Sequence, residues 1–162
     1  MTGSDLNILL GKGDGTFEKP IVQTGDGGYA IATGDFNEDG ELDMAVTTGD
    51  SVFVILGEGN GKFGPPTSYP VSTYLYTLAV GDFNLDGKLD VAVSGLGADA
   101  YVLFGDGNGQ FQRPTQIGSE FGAGTLISAD FNNDGKADLL TIDGSLNGGG
   151  AQAFTVLLNT TK

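Results

Sequence analysis

One ten-residue pattern occurs three times at a nearly fixed spacing, and that period constrains the fold more than any other property of the chain. GDFNEDGELD begins at Gly34, GDFNLDGKLD at Gly81 and ADFNNDGKAD at Ala129. Their first aspartates fall at 35, 82 and 130, spacings of 47 and 48. A second pattern is interleaved with the first: LLGKGDGTF ends at Phe17, ILGEGNGKF at Phe63 and LFGDGNGQF at Phe111. A fourth trace, Val156 to Asn159, stops before its glycine turn. Two motifs sharing one period define one structural unit of about 47 residues, and a period of about 40–50 built from strands and turns is that of a propeller blade.

The strands can be placed within this unit. Apolar stretches precede each acidic motif at Tyr29–Thr33, Thr77–Val80 and Thr125–Ser128. Others follow it at Leu42–Val46, Leu89–Val93 and Ala137–Thr141, and then at Val52–Leu56, Tyr101–Phe104 and Phe154–Leu158. The Gly-x-Gly-[Asp/Asn]-Gly turn comes next, with residues suited to the positive φ of hairpins. A last, polar strand is read as carrying Pro20, Pro65, Pro66 and Pro114; proline is tolerated at an edge, so this strand is expected outermost. The expectation is an all-β chain of four-stranded antiparallel meanders, about three and a half blades in one domain spanning 1–162. Repeat boundaries fall near 4–24, 25–71, 72–119 and 120–162. The first unit supplies outer strands only and the last ends after its third strand.

Composition agrees and excludes several function classes. Glycine makes up 29 of 162 residues, as many tight turns require, while no helical period is sustained. The net charge of −14 argues against nucleic acid and against anionic membrane surfaces. The absence of Cys and His removes disulfides, thiolate sites and imidazole chemistry. No apolar run reaches the length of a membrane span. The first residues have neither a basic n-region nor a long apolar h-region, so no secretion signal is expected within this chain.

The acidic motifs place oxygen-bearing side chains at the same four positions each time. Numbered from its first aspartate, the motif has them at positions 1, 3, 5 and 9: Asp35, Asn37, Asp39 and Asp43; Asp82, Asn84, Asp86 and Asp90; Asp130, Asn132, Asp134 and Asp138. Position 6 is Gly40, Gly87 and Gly135. Clustered carboxylates repel one another unless a cation sits among them, and Ca²⁺ takes about six to eight oxygens. The carbonyl of position 7 (Glu41, Lys88, Lys136) can add a ligand, its side chain being expected to point outward. Turn preference alone explains Asp, Asn and Gly in any one loop, but not four fixed oxygen positions three times over. An EF-hand is excluded: position 12 is Val46, Val93 and Thr141, not Glu, and the flanks read as strands.

On these residues the chain resembles the FG-GAP/VCBS repeat family, from about Asn7 to Asn159. The family's blades carry a D-x-[DN]-x-D-G-x-x-D calcium loop between their first two strands and build the propellers of integrin α subunits and of many bacterial surface proteins. The resemblance implies Ca²⁺, about three per chain, held by the side chains at positions 1, 3, 5 and 9 and the carbonyl at 7. It also implies an extracellular or cell-surface setting. At about 1 mM Ca²⁺ and a Kd of about 0.1 mM, each site would add roughly 1.4 kcal/mol, about 4 in all.

The chain departs from the family in blade number, about three and a half against about seven. A propeller closes with about four to eight blades, and open strand edges invite pairing. The expectation is a homodimer that closes a ring of six or seven blades, against the alternative of a fragment or half-propeller cut from a longer protein and standing as an open arc. Protein or glycan recognition is the expected role, with Tyr29, Tyr74 and Tyr76, and beyond them Tyr69 and Phe121, as candidate contacts. Aromatic rings at these places also serve packing between blades. The glycine-rich stretch Asp143–Gly150 reads as a linker. An enzyme is not expected: there is no nucleophile elbow, and the spare carboxylates (Glu18, Asp26, Asp50, Glu58, Asp99, Glu120) do not recur as a pair. The alternative is a purely architectural, designed or fragment repeat protein that assembles into a propeller and has no ligand beyond calcium.

Overall fold

The computed structural model describes residues 6–23, 28–71, 74–95, 99–118, 124–142 and 154–161. Asp26, Glu120, Phe121 and the stretch 143–150 lie outside the described residues. No helix occurs among those described. A two-stranded sheet comes first, β1 (Leu6–Ile8) and β2 (Ile21–Gln23). Next is a four-stranded sheet in sequence order: β3 (Ala30–Gly34), β4 (Asp43–Thr48), β5 (Ser51–Ile55) and β6 (Thr67–Pro70). The next repeats it: β7 (Leu75–Gly81), β8 (Asp90–Gly95), β9 (Ala100–Leu103) and β10 (Thr115–Gly118). A three-stranded sheet ends the chain: β11 (Leu126–Ala129), β12 (Asp138–Ile142) and β13 (Phe154–Leu157). All neighbours are antiparallel, so each sheet is a meander.

This is the all-β blade architecture expected from the period. One detail differs. Pro20, Pro65, Pro66 and Pro114 stand just ahead of the outer strands rather than within them. A residue without an N–H cannot join a ladder, so it sets the entry of the strand and leaves the pairing to the residues after it. Pro70 does lie within β6, at its end, on a strand paired only with β5.

The period-2 alternation of strands explains how the blades stack. Along β4, Met44 and Val46 face one way and meet Ile55, with Leu6 and Phe63 packed against them. Ala45 faces the other way, into the cluster that joins the two complete sheets: Phe36, Val52, Val54, Val71, Leu75, Leu78, Val91, Val93 and Leu103. On β8, Val91 and Val93 point back into that cluster, while Ala92 points forward into the next with Ala79, Phe83, Val102, Leu126 and Leu139. The three apolar clusters are therefore three joints, each shared by successive sheets. Both β4 and β8 are buried along their whole length, with small alanines on one face. The first strands lie side by side, β3 against β7 and β7 against β11.

The β1–β2 hairpin packs as a blade would. Its Leu10 and Ile21 side chains press on Gly61, just as Leu56 presses on Gly109 one unit later. It thus holds the place of two outer strands beside the first complete sheet.

Candidate functional site

Each acidic motif forms the loop between the first two strands of a sheet: β3–β4, β7–β8 and β11–β12. The three loops share one internal geometry. The carboxylate at position 1 accepts from the backbone N–H of position 5 through Oδ1, at 3.1, 3.2 and 3.2 Å, and from the N–H of the glycine at position 6 through Oδ2, at 2.9 Å each time. The Oδ1 of position 3 accepts from the N–H of position 5, at 3.2, 2.9 and 2.9 Å. The Oδ1 of position 5 accepts from the N–H of position 7, at 2.8, 3.0 and 3.1 Å. The backbone is left-handed at position 4 (Glu38, Leu85, Asn133) and again at the glycine, with φ of 89°, 83° and 84° at Gly40, Gly87 and Gly135. Two left-handed residues so close together curl the loop and turn its N–H groups inward onto the carboxylates.

The ninth position does something the spacing did not reveal. Asp43, Asp90 and Asp138 are 0–1 % exposed. In each, Oδ2 accepts from the N–H of position 2, at 2.8 Å from Phe36, 2.9 Å from Phe83 and 3.0 Å from Phe131. Oδ1 accepts from an N–H just after the third strand, at 2.7 Å from Gly57, 2.9 Å from Gly105 and 2.7 Å from Asn159. The aspartate is a bracket that ties its loop to the following strands. Glycine is needed at two of those partners: a Cβ on Gly57 or Gly105 would sit 2.3 or 2.2 Å from the carbonyl oxygen of Leu42 or Leu89. Burial pushes the Asp90 pKa up against the pull of the Gly105 and Phe83 N–H groups, and the nearby Asp86 and Asp82 add to the rise.

The donor set suits a hard divalent cation: carboxylate and amide oxygens with lone pairs left over after one N–H bond each. Asn37 and Asn84 donate from Nδ2 to Oδ2 of Asp39 and Asp86, at 2.7 and 3.1 Å. In the third loop the Lys136 ammonium stands 3.6 Å from Asp134 Oδ2 and 3.5 Å from the Asn159 carbonyl. Among the described residues no three or more of His, Cys, Asp and Glu are gathered in a metal-holding group. What each loop draws together is the position 1 and 5 carboxylates with the position 3 amide, above a buried ninth aspartate.

The position 7 side chains reach away along the surface of their blades, and that of Glu41 is exposed. Glu41 lies against Gly59, Lys88 against Gly107, and Lys136 folds back on its own loop. Glycines in the following turn leave a flat surface, and the long side chains cover it.

The candidate aromatic contacts lie at the end of the sheets opposite the acidic loops. Tyr29 and Tyr76 meet edge to face across the joint, with centroids 5.2 Å apart, so this pair packs between blades. The Tyr74 ring rests over Gly49 and stays exposed, as does Tyr29. Tyr69 belongs elsewhere. Its hydroxyl accepts from the Phe111 N–H at 3.2 Å, its ring meets that of Phe111, and burial raises its pKa. Together with Tyr101 and Arg113 these rings line a groove of about 550 Å³ between the outer parts of the two complete blades. Sequence reasoning missed Tyr101 and Arg113; the one available signal was that Arg113 is the only arginine in the chain.

The family model described as an FG-GAP-like repeat matches residues 2–46, 35–93 and 82–141. No curated protein matches. Among solved structures, one described as the basis of specific recognition of non-reducing terminal N-acetylglucosamine by an Agrocybe aegerita lectin matches with a TM-score of 0.60 at 21% identity. The match covers 98% of this chain and 47% of that one, so this chain spans about half the lectin's length. At that identity the likeness concerns the fold.

Proposed function

The chain belongs to the FG-GAP-like repeat family, and on that premise we propose that it is a calcium-stabilised recognition module for a protein or glycan, extracellular or cell-surface, working as a homodimer. The observation that carries this reading is the threefold recurrence of one loop geometry with oxygens at positions 1, 3, 5 and 9. Asp35, Asn37, Asp39 and Asp43, with the Glu41 carbonyl, would hold one ion. Asp82, Asn84, Asp86 and Asp90, with the Lys88 carbonyl, would hold the second. Asp130, Asn132, Asp134 and Asp138, with the Lys136 carbonyl, would hold the third. Bound there, the ion supplies charge neutralisation: three would move the formal charge from −14 to −8. The protein's part is to hold each loop curled and fastened to its blade.

Recognition is supported by the family and by the lectin whose fold this chain shares. The surfaces that fit it are the exposed rings of Tyr29 and Tyr74 near Tyr76, and the groove of Tyr69, Tyr101, Phe111 and Arg113. Rings of this kind can stack on sugar faces or anchor a protein loop. No reaction is assigned. Calorimetric titration with CaCl₂ should give about three sites per chain. EDTA should lower the melting temperature by many degrees, and millimolar Ca²⁺ should restore it. A flat titration with an unchanged melting curve overturns the calcium reading. A silent glycan array and pull-down would leave an architectural repeat unit.

A further inference from the structure

We propose that the two end faces of the chain bind each other between copies, the face around Ile127 and Phe131 of one copy receiving Ile31 and Leu42 of the next. This rests on the homodimer reading and assigns its contact. Phe36, Phe83 and Phe131 hold one position of the repeat. The first two are 2 % and 8 % exposed, each covered at a joint, while Phe131 is 41 % exposed. Ile127 is equivalent to Ala79, which is 7 % exposed, and is itself 44 % exposed. At the opposite end, Ile31 is equivalent to Leu78 and Leu126, which are 7 % and 4 % exposed, yet it is 52 % exposed. Leu42 shows 62 % of its surface, where Leu89 is half-buried.

The internal joints show what covers such residues. Leu89 of the second complete blade reaches Gly34 of the first, and Ala137 of the next sheet reaches Gly81. Leu42 is the repeat equivalent of Leu89, and Ala129 of Gly34. The two open faces are therefore the two halves of one joint, which is a head-to-tail contact. Such contacts close into a ring when the rotation permits. Two copies contributing three inner-strand pairs each (β3–β4, β7–β8, β11–β12) make six blades, within the range in which propellers close. The closed joint is bulkier than the internal ones, with Ile127 and Ala129 where they have alanine and glycine. Both β1 and β13 carry the third-strand register there, Leu10 and Leu158 being equivalents, and the joint keeps one of them.

The test is the mass of the full chain by light scattering, with Ca²⁺ present, for wild type, Ile31→Glu, Ile127→Glu and an equimolar mixture of the two variants. Wild type should run at twice 16.6 kDa, and each variant alone should run as a monomer with an unchanged circular dichroism spectrum. The mixture should recover a dimer, because one Ile127 face then meets one intact Ile31 face. Should a glutamate variant misfold, Ile31→Ala and Ile127→Ala replace it, each expected to weaken the dimer at least tenfold. A monomeric wild type overturns both the homodimer reading and this contact. A dimer that survives both glutamates overturns the contact alone, and a mixture that stays monomeric overturns its head-to-tail sense.

Discussion

Replacing Asp90 by alanine in the absence of metal measures what the bracket alone contributes. The side chain is fully buried and accepts from two backbone N–H groups, those of Phe83 and Gly105, each at 2.9 Å. Alanine would leave both donors unpaired in a site that water does not reach. Each orphaned buried donor costs about 1–3 kcal/mol, so the pair costs about 2–6. The raised pKa of Asp90 means that burying the ionised carboxylate already carries a penalty, which the substitution relieves. That places the net loss in the lower half, about 2–4 kcal/mol, or roughly 4–16 °C for a chain of this length. The control is Asp82→Ala, which removes bonds to the N–H groups of Asp86 and Gly87 in an exposed loop, where water substitutes. Without metal this should cost about 1 kcal/mol or less. Urea unfolding in EDTA and again in millimolar CaCl₂ reads both. Asp90→Ala should be strongly destabilised under either condition, and Asp82→Ala chiefly when calcium is present. If Asp90→Ala in EDTA unfolds within about 0.5 kcal/mol of wild type, the bracket is energetically empty and the reasoning fails.

Gly105→Ala would set a Cβ 2.2 Å from the Leu89 carbonyl oxygen, forcing backbone to move; a loss of about 1–3 kcal/mol in chemical unfolding is expected. Asp106 accepts from the N–H of Asn108 at 2.8 Å, which holds its pKa below the ordinary value of 3.8. Asp14 is lowered likewise, first by the Thr16 hydroxyl at 2.6 Å. A carboxylate whose folded pKa is depressed stabilises above its unfolded pKa and loses that contribution as pH falls through the folded value. These two should therefore titrate below 3.8 by NMR, with their share of stability disappearing only in that acidic window.

Much of the fold was legible because its signals are local and repeated. Alternation placed the inner strands to within about two residues at each end, and the acidic and glycine motifs fixed the turns between them. The paired roles of Ala45 and Ala92 against Met44 and Val91 follow from period 2 once blades are known to stack on both faces. What could not be read depends on residues far apart in the chain. The partners of Asp43, Asp90 and Asp138 lie 14, 15 and 21 residues downstream, so their bracing role left no mark in the spacing. The left-handed turn at Leu85 carries no sequence mark, since leucine does not favour positive φ. The groove of Tyr69, Tyr101 and Arg113 occurs once, and a reading built on recurrence passes over what does not recur.

The loops also reach past their own blades. The Phe36 carbonyl accepts from the N–H of Gly109, and that of Phe83 from the Asn159 side chain, each donor belonging to the next sheet along the chain. A gene duplication that adds one unit therefore adds its fastener as well. Lengthening such an array needs no new interface to be invented, so the number of blades can change within the range that still closes a ring while the chemistry of each unit stays the same.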